Sequence, residues 1–234
     1  GVEQLAINGV TYTAPARDMD GVLRPNPIAT ILDLGAYEHE NGVGPYDGPV
    51  WYVNGAEALP YGNGSVGAPY SMISSAIGAA ESGDTVHVAA ATYVENINFN
   101  GKNIAVIGAG QETTIIDGNQ AGTVVTFANS ETSSASLVGF TIQGGSGVEI
   151  SGLTYGGGIY INGASPTLTS LKIINNSATR GGGIYANSSS MVLSQSIIKG
   201  NSAVDYGGGV HCHSGGSPTI QNCVIANNSH TGTD

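Results

Sequence analysis

The chain is short of aromatic bulk, of charge and of cysteine. Three Phe and one Trp in 234 residues cannot fill a wide interior, so any core must be built from Val, Ile, Leu and Ala, which suit thin layers. Charged residues make up only 10% of the chain, and six Lys plus Arg stand against seventeen Asp plus Glu, a formal net charge of -11. With no basic patch to offer, the chain is not expected to bind nucleic acid or an anionic membrane surface. The plain role of the acidity is solubility. Two cysteines, Cys212 and Cys223, do not make a disulfide framework, and they neither require nor exclude an oxidising compartment. No apolar run approaches the length of a membrane span, so membrane insertion is not expected. The start, "GVEQLAINGV", has neither the basic nor the apolar stretch of a signal peptide, so either the signal has been removed or this is an internal piece of something longer.

Glycine is plentiful, at 37 residues, and Asn, Ser and Thr crowd around it. Such a composition makes turns common and helices few, which predicts an all-β chain. Three segments repeat: "GGGIYINGASPTLTSLKIINNSATR" from Gly156, "GGGIYANSSSMVLSQSIIKGNSAVDY" from Gly181 and "GGGVHCHSGGSPTIQNCVIANNSHTGTD" from Gly207, with starts 25 and 26 residues apart. At that period one repeat is one supersecondary unit, which buries its apolar face only by stacking on its neighbours. Each unit holds two short alternating runs, such as Ile159/Ile161 and Leu171/Ile173, between clusters of turn residues, and none has a helical period.

Short strands, polar corners and a fixed rung length describe a β-solenoid, whose coils pair in parallel at about 4.8 Å. The triplets Gly156, Gly157, Gly158; Gly181, Gly182, Gly183; and Gly207, Gly208, Gly209 then form one edge, where the chain turns and approaches the next coil too closely for a Cβ. Asn176, Asn201 and Asn228, each followed by Ser, align at a second corner, where identical amides can form a ladder. Interior columns follow: Ile159, Ile184, Val210; Leu168, Leu193, Ile220; and Ile173, Ile198, Ile225. Upstream, Val86/Val88, Ile97/Phe99, Ile104/Val106, Val124 to Phe127 and Leu137 to Ile142 read as earlier coils. Before them Met72, Ile73, Ala76, Ile77 and Ala80 have helical spacing, which predicts a short helix covering the first coil and protecting its strand edges.

The segments "WYVNG", "SMISSAIGAAESGDTVHVAAATYVENINF" and "IIDGN", with the "GGGIY", "SPTL" and "NNSA" rungs, resemble secreted bacterial right-handed parallel β-helix proteins of the pectate-lyase-like superfamily. The rungs are also similar to those of polymorphic outer-membrane adhesins. The resemblance covers about residues 50 to 234 and implies a right-handed parallel β-helix in an extracellular or cell-surface setting. It is specific for the fold and not for an activity, since the superfamily includes lyases, hydrolases, adhesins and structural proteins. Residues 16 to 40, "ARDMDGVLRPNPIATILDLGAYEHE", resemble the closing segment at the C-terminal end of such proteins, although here it comes first. The chain thus divides into a closing segment at 1 to 48, a leading strand and capping helix at 49 to 83, and coils at 84 to 234. Two readings of this order stay open: a fragment of a longer polypeptide, or a subunit whose first segment closes the open last coil of a neighbouring copy, head to tail.

Five candidate features stand out. "GNGSVG" at 62 to 67 matches a dinucleotide fingerprint, but Pro69 interrupts it and β-rungs follow, so it reads as a loop. "HCH" at 211 to 213 with Cys223 has zinc-ligand residue types, but strand alternation sends His211 and His213 to one face and Cys212 to the other, so the three cannot share an ion. No metal or other cofactor is expected. Cys212 and Cys223 are expected to face inward, as free thiols or a disulfide. Tyr160, Tyr185 and His211 form an outward ladder beside the glycine edge that could pack against sugar rings or simply shield the strands beneath. Glu149, Lys172, Arg180, Lys199 and Asp205 are the charges of the clear rungs, and they form no acid pair or base-cation constellation. Sequons occur at Asn63, Asn175, Asn187 and Asn227, as Asn- and Ser-rich corners produce by chance. The expected function is a non-catalytic extracellular structural or adhesive module, in a filament or tandem array, with other copies as partners. The alternative is a polysaccharide lyase or glycoside hydrolase of the same fold.

Overall fold

The computed structural model describes residues 4–7, 10–13, 46–56 and 62–232. The chain divides into two units, Gly1–Pro45 and Tyr46–Asp234. In the first, strands Gln4–Ile7 and Val10–Thr13 pair antiparallel, with Ile7 opposite Val10. Of the closing segment expected at residues 1 to 48, the stretch 16 to 40 that carries the resemblance lies outside the described residues.

The second unit is a parallel β-helix with four walls. The first wall has seven strands, from Val50–Val53 through Thr85–Val88 to Thr219–Gln221, and the second has six, from Thr92–Val94 to Val224–Ala226. A third, five-stranded wall ends in Ser177–Arg180, Ser202–Tyr206 and Ser229–His230, and a fourth, also five-stranded, runs from Ile97–Asn98 to Val210–His213. All pairings in these walls are parallel except where the third begins, with an antiparallel hairpin of Val148–Ile150 on Leu153–Tyr155. Its strands were read as corners because Ser177, Ser202 and their neighbours are polar and short. They pair in register nonetheless, Ser177 with Ser202 and Ala178 with Ala203.

Register follows the expected columns. Val86, Val106, Leu137, Leu168, Leu193 and Ile220 are successive partners on the first wall, and Ile142, Ile173, Ile198 and Ile225 on the second. Because the side-chain period of a strand is two, one aliphatic residue per strand points inward and stacks on its counterpart in the next coil. From Val86 to Ile142 and back through Leu193 these residues are fully buried. The few large rings serve the same interior, with Phe99 and Phe127 at 4.2 Å between centroids.

Helix α1, Ile73–Ala79, covers the first coil and buries Ile73, Ala76 and Ile77. Met72, expected on its apolar face, precedes the helix and is exposed. At only seven residues, α1 is too short to persist alone, and side chains of the coil beneath hold both ends. The Glu95 carboxylate accepts from Ile73 N at 2.8 Å and Ser74 N at 2.9 Å. Lys102 Nζ donates to the carbonyls of Ile77 at 2.8 Å and Gly78 at 2.7 Å. An acid at the N-terminus and a cation at the C-terminus also match the helix dipole.

Candidate functional site

The glycine corner joins the third and fourth walls. The first glycine of each triplet has left-handed backbone, with φ of 59° at Gly156, 67° at Gly181 and 64° at Gly207. The second and third are needed for space: a Cβ on Gly182 would lie 2.1 Å from the Ser202 carbonyl oxygen, and one on Gly183 would lie 2.4 Å from that of Gly209. This closeness lets the triplets pair along the stack, Gly157 N with Gly181 O at 3.1 Å and Gly182 N with Gly207 O at 3.1 Å. Both expected reasons for the triplets apply: close approach excludes a Cβ at all three positions, with the Ile184 carbonyl oxygen 2.5 Å from where one would stand on Gly181, and the left-handed turn belongs to the first glycine.

At the second corner the amide ladder forms. Asn176 Nδ2 donates to Asn201 Oδ1 and Asn201 Nδ2 to Asn228 Oδ1, each at 3.0 Å. The same acceptors take the backbone N–H groups of Asn176 and Asn201. A shorter pair, Asn187 Nδ2 to Asn162 Oδ1 at 2.8 Å, holds the end of the fourth wall. Sequence reading did not single it out, although both residues close an "I-Y-x-N" strand. The sequon residues Asn175 and Asn227 are exposed at left-handed turns, both with φ of 54°.

The outward ladder has the expected register, Tyr160 beside Tyr185 and Tyr185 beside His211. The rings stack at 5.8 Å and 5.5 Å. Its expected accessibility needs correction: Tyr160 and Tyr185 are 8% and 6% exposed. Two things cover them: each other, and a second column that sequence reading missed. Tyr155, Arg180 and Tyr206 are register partners on the third wall. They stand immediately before each triplet, as in "YGGG", "RGGG" and "YGGG", and that spacing was the available signal. The sharp glycine turn folds this column against the first. Tyr155 meets Tyr185 edge-on at 4.9 Å, Tyr206 stacks on His211 at 5.7 Å, and the Arg180 guanidinium lies 6.0 Å and 5.3 Å from the Tyr155 and Tyr206 ring centres. Arg180 Nε also reaches Asp205 Oδ2 at 3.4 Å.

Burial raises the Tyr160 and Tyr185 phenols above the ordinary tyrosine value, the neighbouring tyrosines add to this, and at Tyr185 the Arg180 charge opposes it. His211 is lowered, first by burial, then by His213 and Arg180. His213 lies on the same face as His211, with ring centroids 5.9 Å apart.

Cys212 occupies the inward column of Ile161 and Ala186, as expected. It belongs to the last described coil of its wall and is open on that coil's outer side, while partial burial raises its thiol. Cys223 packs against the core and its Sγ donates to Gln221 O at 3.2 Å. The two are free thiols, and the disulfide weighed from sequence is not formed. Among the described residues no group of three or more His, Cys, Asp and Glu could hold a metal ion.

The fingerprint-like "GNGSVG" does not open the helix. Gly64, at φ 84°, has the rings of Tyr70 and Trp51 2.5 Å and 2.6 Å from where its Cβ would stand, so this glycine is required by aromatic packing. A shallow apolar groove of about 370 Å³ lies nearby, lined by Tyr52, His87, Ile107 and Pro69 among others.

No curated protein matches the chain. The model of the right-handed beta helix region matches residues 84–234, the span that carries the glycine corner, the amide ladder and the aliphatic columns, and the chain belongs to this family of right-handed β-helix proteins.

Proposed function

We propose that the chain is a non-catalytic, extracellular structural or adhesive module that joins copies of itself head to tail, in a filament or tandem array. The observation that carries this reading is the contrast between the two ends of the described stack. At the first, the outer edge of Val50–Val53 is occupied: Tyr52 N donates to Gly64 O at 2.8 Å, Asn54 N to Tyr70 O at 2.9 Å, and Tyr70 N to Tyr52 O at 2.9 Å. At the other, the last strands of the first, second and fourth walls pair on one side only among the described residues. The interior residues there are open: Ile220 is 41% and Ile225 47% exposed, while their partners Leu193 and Ile198 are fully buried. Aliphatic columns and unpaired edges of this kind are what a further coil buries, and unlike ends meeting in one direction propagate.

Several carboxylates support the structural role, because they tie side chains and backbone of the coils together. Asp84 accepts from Trp51 Nε1 at 2.8 Å, Glu131 from Gly101 N at 2.8 Å and Asn129 N at 2.9 Å, and Asp117 from Asn119 N at 2.9 Å. Glu112 pairs with Lys172 at 2.7 Å. The surface setting rests on the resemblance of the rungs to secreted and outer-membrane proteins. Where the module touches a polysaccharide or a cell surface, the accessible rings of the glycine corner, Tyr206 and His211, are its contact, since Tyr160 and Tyr185 are covered.

Negative-stain microscopy and light scattering across a concentration series test the assembly. Fibres or concentration-dependent oligomers are expected, and Ile225→Lys is expected to abolish them. A particle that stays monomeric at every concentration sinks the head-to-tail reading, and release of reducing ends or unsaturated products from polysaccharides would favour the enzymatic alternative.

A further inference from the structure

We propose that His211 and His213 form a two-imidazole chelate for a divalent transition-metal ion of the copper and nickel class on the outer face of the fourth wall. Residues two apart on a strand point the same way, and here the alternation that kept Cys212 out of the set brings the two imidazoles together. Their ring centroids are 5.9 Å apart and their planes differ by 20°. With metal–nitrogen bonds of about 2.1 Å, two imidazoles in adjacent positions of a tetragonal copper or nickel site have centroids about 4.5 Å apart. Chelation requires the two rings to approach each other by rotation about their side-chain bonds.

The neighbouring rings hold the two imidazoles on one face. Tyr185 stacks on both rings, at 5.5 Å from His211 and 6.3 Å from His213, and Tyr206 stacks on His211 at 5.7 Å. These contacts restrict the rings before any ion arrives, which lowers the ordering cost of binding. Arg180 is the facing cation, and its pairing with Asp205 moderates its repulsion of a metal. Neutral imidazole suits copper, nickel and zinc, with copper strongest among divalent ions of one donor set. With two protein donors the ion keeps open positions, for water or for a donor brought by whatever molecule the corner meets.

The test is Cu²⁺ and Ni²⁺ titration of the purified chain by calorimetry, with tyrosine fluorescence as a second readout because two phenol rings, Tyr185 and Tyr206, stack on the imidazoles. One equivalent of Cu²⁺ is expected to bind more tightly than Ni²⁺ and to quench tyrosine emission. His211→Asn and His213→Asn are each expected to weaken binding at least tenfold, and His87→Asn, on the first wall, to leave it unchanged. Circular dichroism of each variant confirms that the sheet is intact. Absence of binding, or binding that survives both substitutions in folded protein, overturns the proposal. It does not depend on self-assembly, so a monomeric chain that binds copper upholds it.

Discussion

Single atoms decide the glycine corner. At Gly182 a methyl group would meet the Ser202 carbonyl oxygen at 2.1 Å, and neither group belongs to a side chain that could move aside. Gly182→Ala is therefore expected to lower stability by about 3 kcal/mol or to prevent folding, as overpacking against fixed backbone does. Gly181→Asn should cost as much or more, because Gly181 combines a φ of 67° with the Ile184 carbonyl oxygen 2.5 Å from where its Cβ would stand. Gly78 has no atom within 4 Å of its would-be Cβ and lies inside α1, so Gly78→Ala should stabilise by about 0.5–1 kcal/mol. Thermal melts of the three variants check the order. Asn201 is a ladder member with both neighbours bonded, and Asn201→Ala leaves buried partners unmatched, a loss of about 2–3 kcal/mol.

At the scale of elements, α1 shows how a seven-residue helix survives. Removing the Glu95 carboxylate strands the Ile73 and Ser74 N–H groups, so Glu95→Ala should cost about 1–2 kcal/mol. Hydrogen exchange should show the loss as faster exchange in α1, while amides near Leu193 and Ile198 keep their protection. The fourth wall offers a second element-level test through pH. A histidine whose folded pKa is lowered destabilises the fold once protons bind, so the His211 contribution is harmless above its ordinary value of about 6.5 and destabilises as pH falls below it. Tyr160 and Tyr185, raised in the fold, stabilise fully below about pH 10, and that contribution is lost as pH rises past it. Denaturant midpoints across both ranges should show the two declines. His211→Asn should flatten the acid one, and Tyr185→Phe should flatten the alkaline one.

Across the whole coil stack, stability is a sum of neighbour contacts, since each coil touches only the coils beside it. The interior stack is closed at the α1 end and open at Ile220 and Ile225. Protection from hydrogen exchange should therefore fall toward the last described coil in dilute solution. At concentrations where copies join, protection should rise there first.

Much of this was legible in the residues, for particular reasons. The triplets at Gly156, Gly181 and Gly207 and the repeated Asn at 176, 201 and 228 are identical residues at a fixed period, and backbone pairing between coils forces such residues into contact. The aliphatic columns were readable because alternation on a strand needs only a period of two. The strand Ser177–Arg180 was not, since a polar tetrapeptide carries no pattern and forms a strand only because the neighbouring coils present partners for its backbone. The Glu95 and Lys102 caps were hidden too, because they reach α1 through space. Local repetition thus determined the winding, the corners and the inward faces. Only the tertiary structure decided that the Tyr160 and Tyr185 rings lie buried, Tyr185 against Tyr155 of the neighbouring wall, because that depends on how sharply the glycines bring two walls together, an angle that no periodicity encodes.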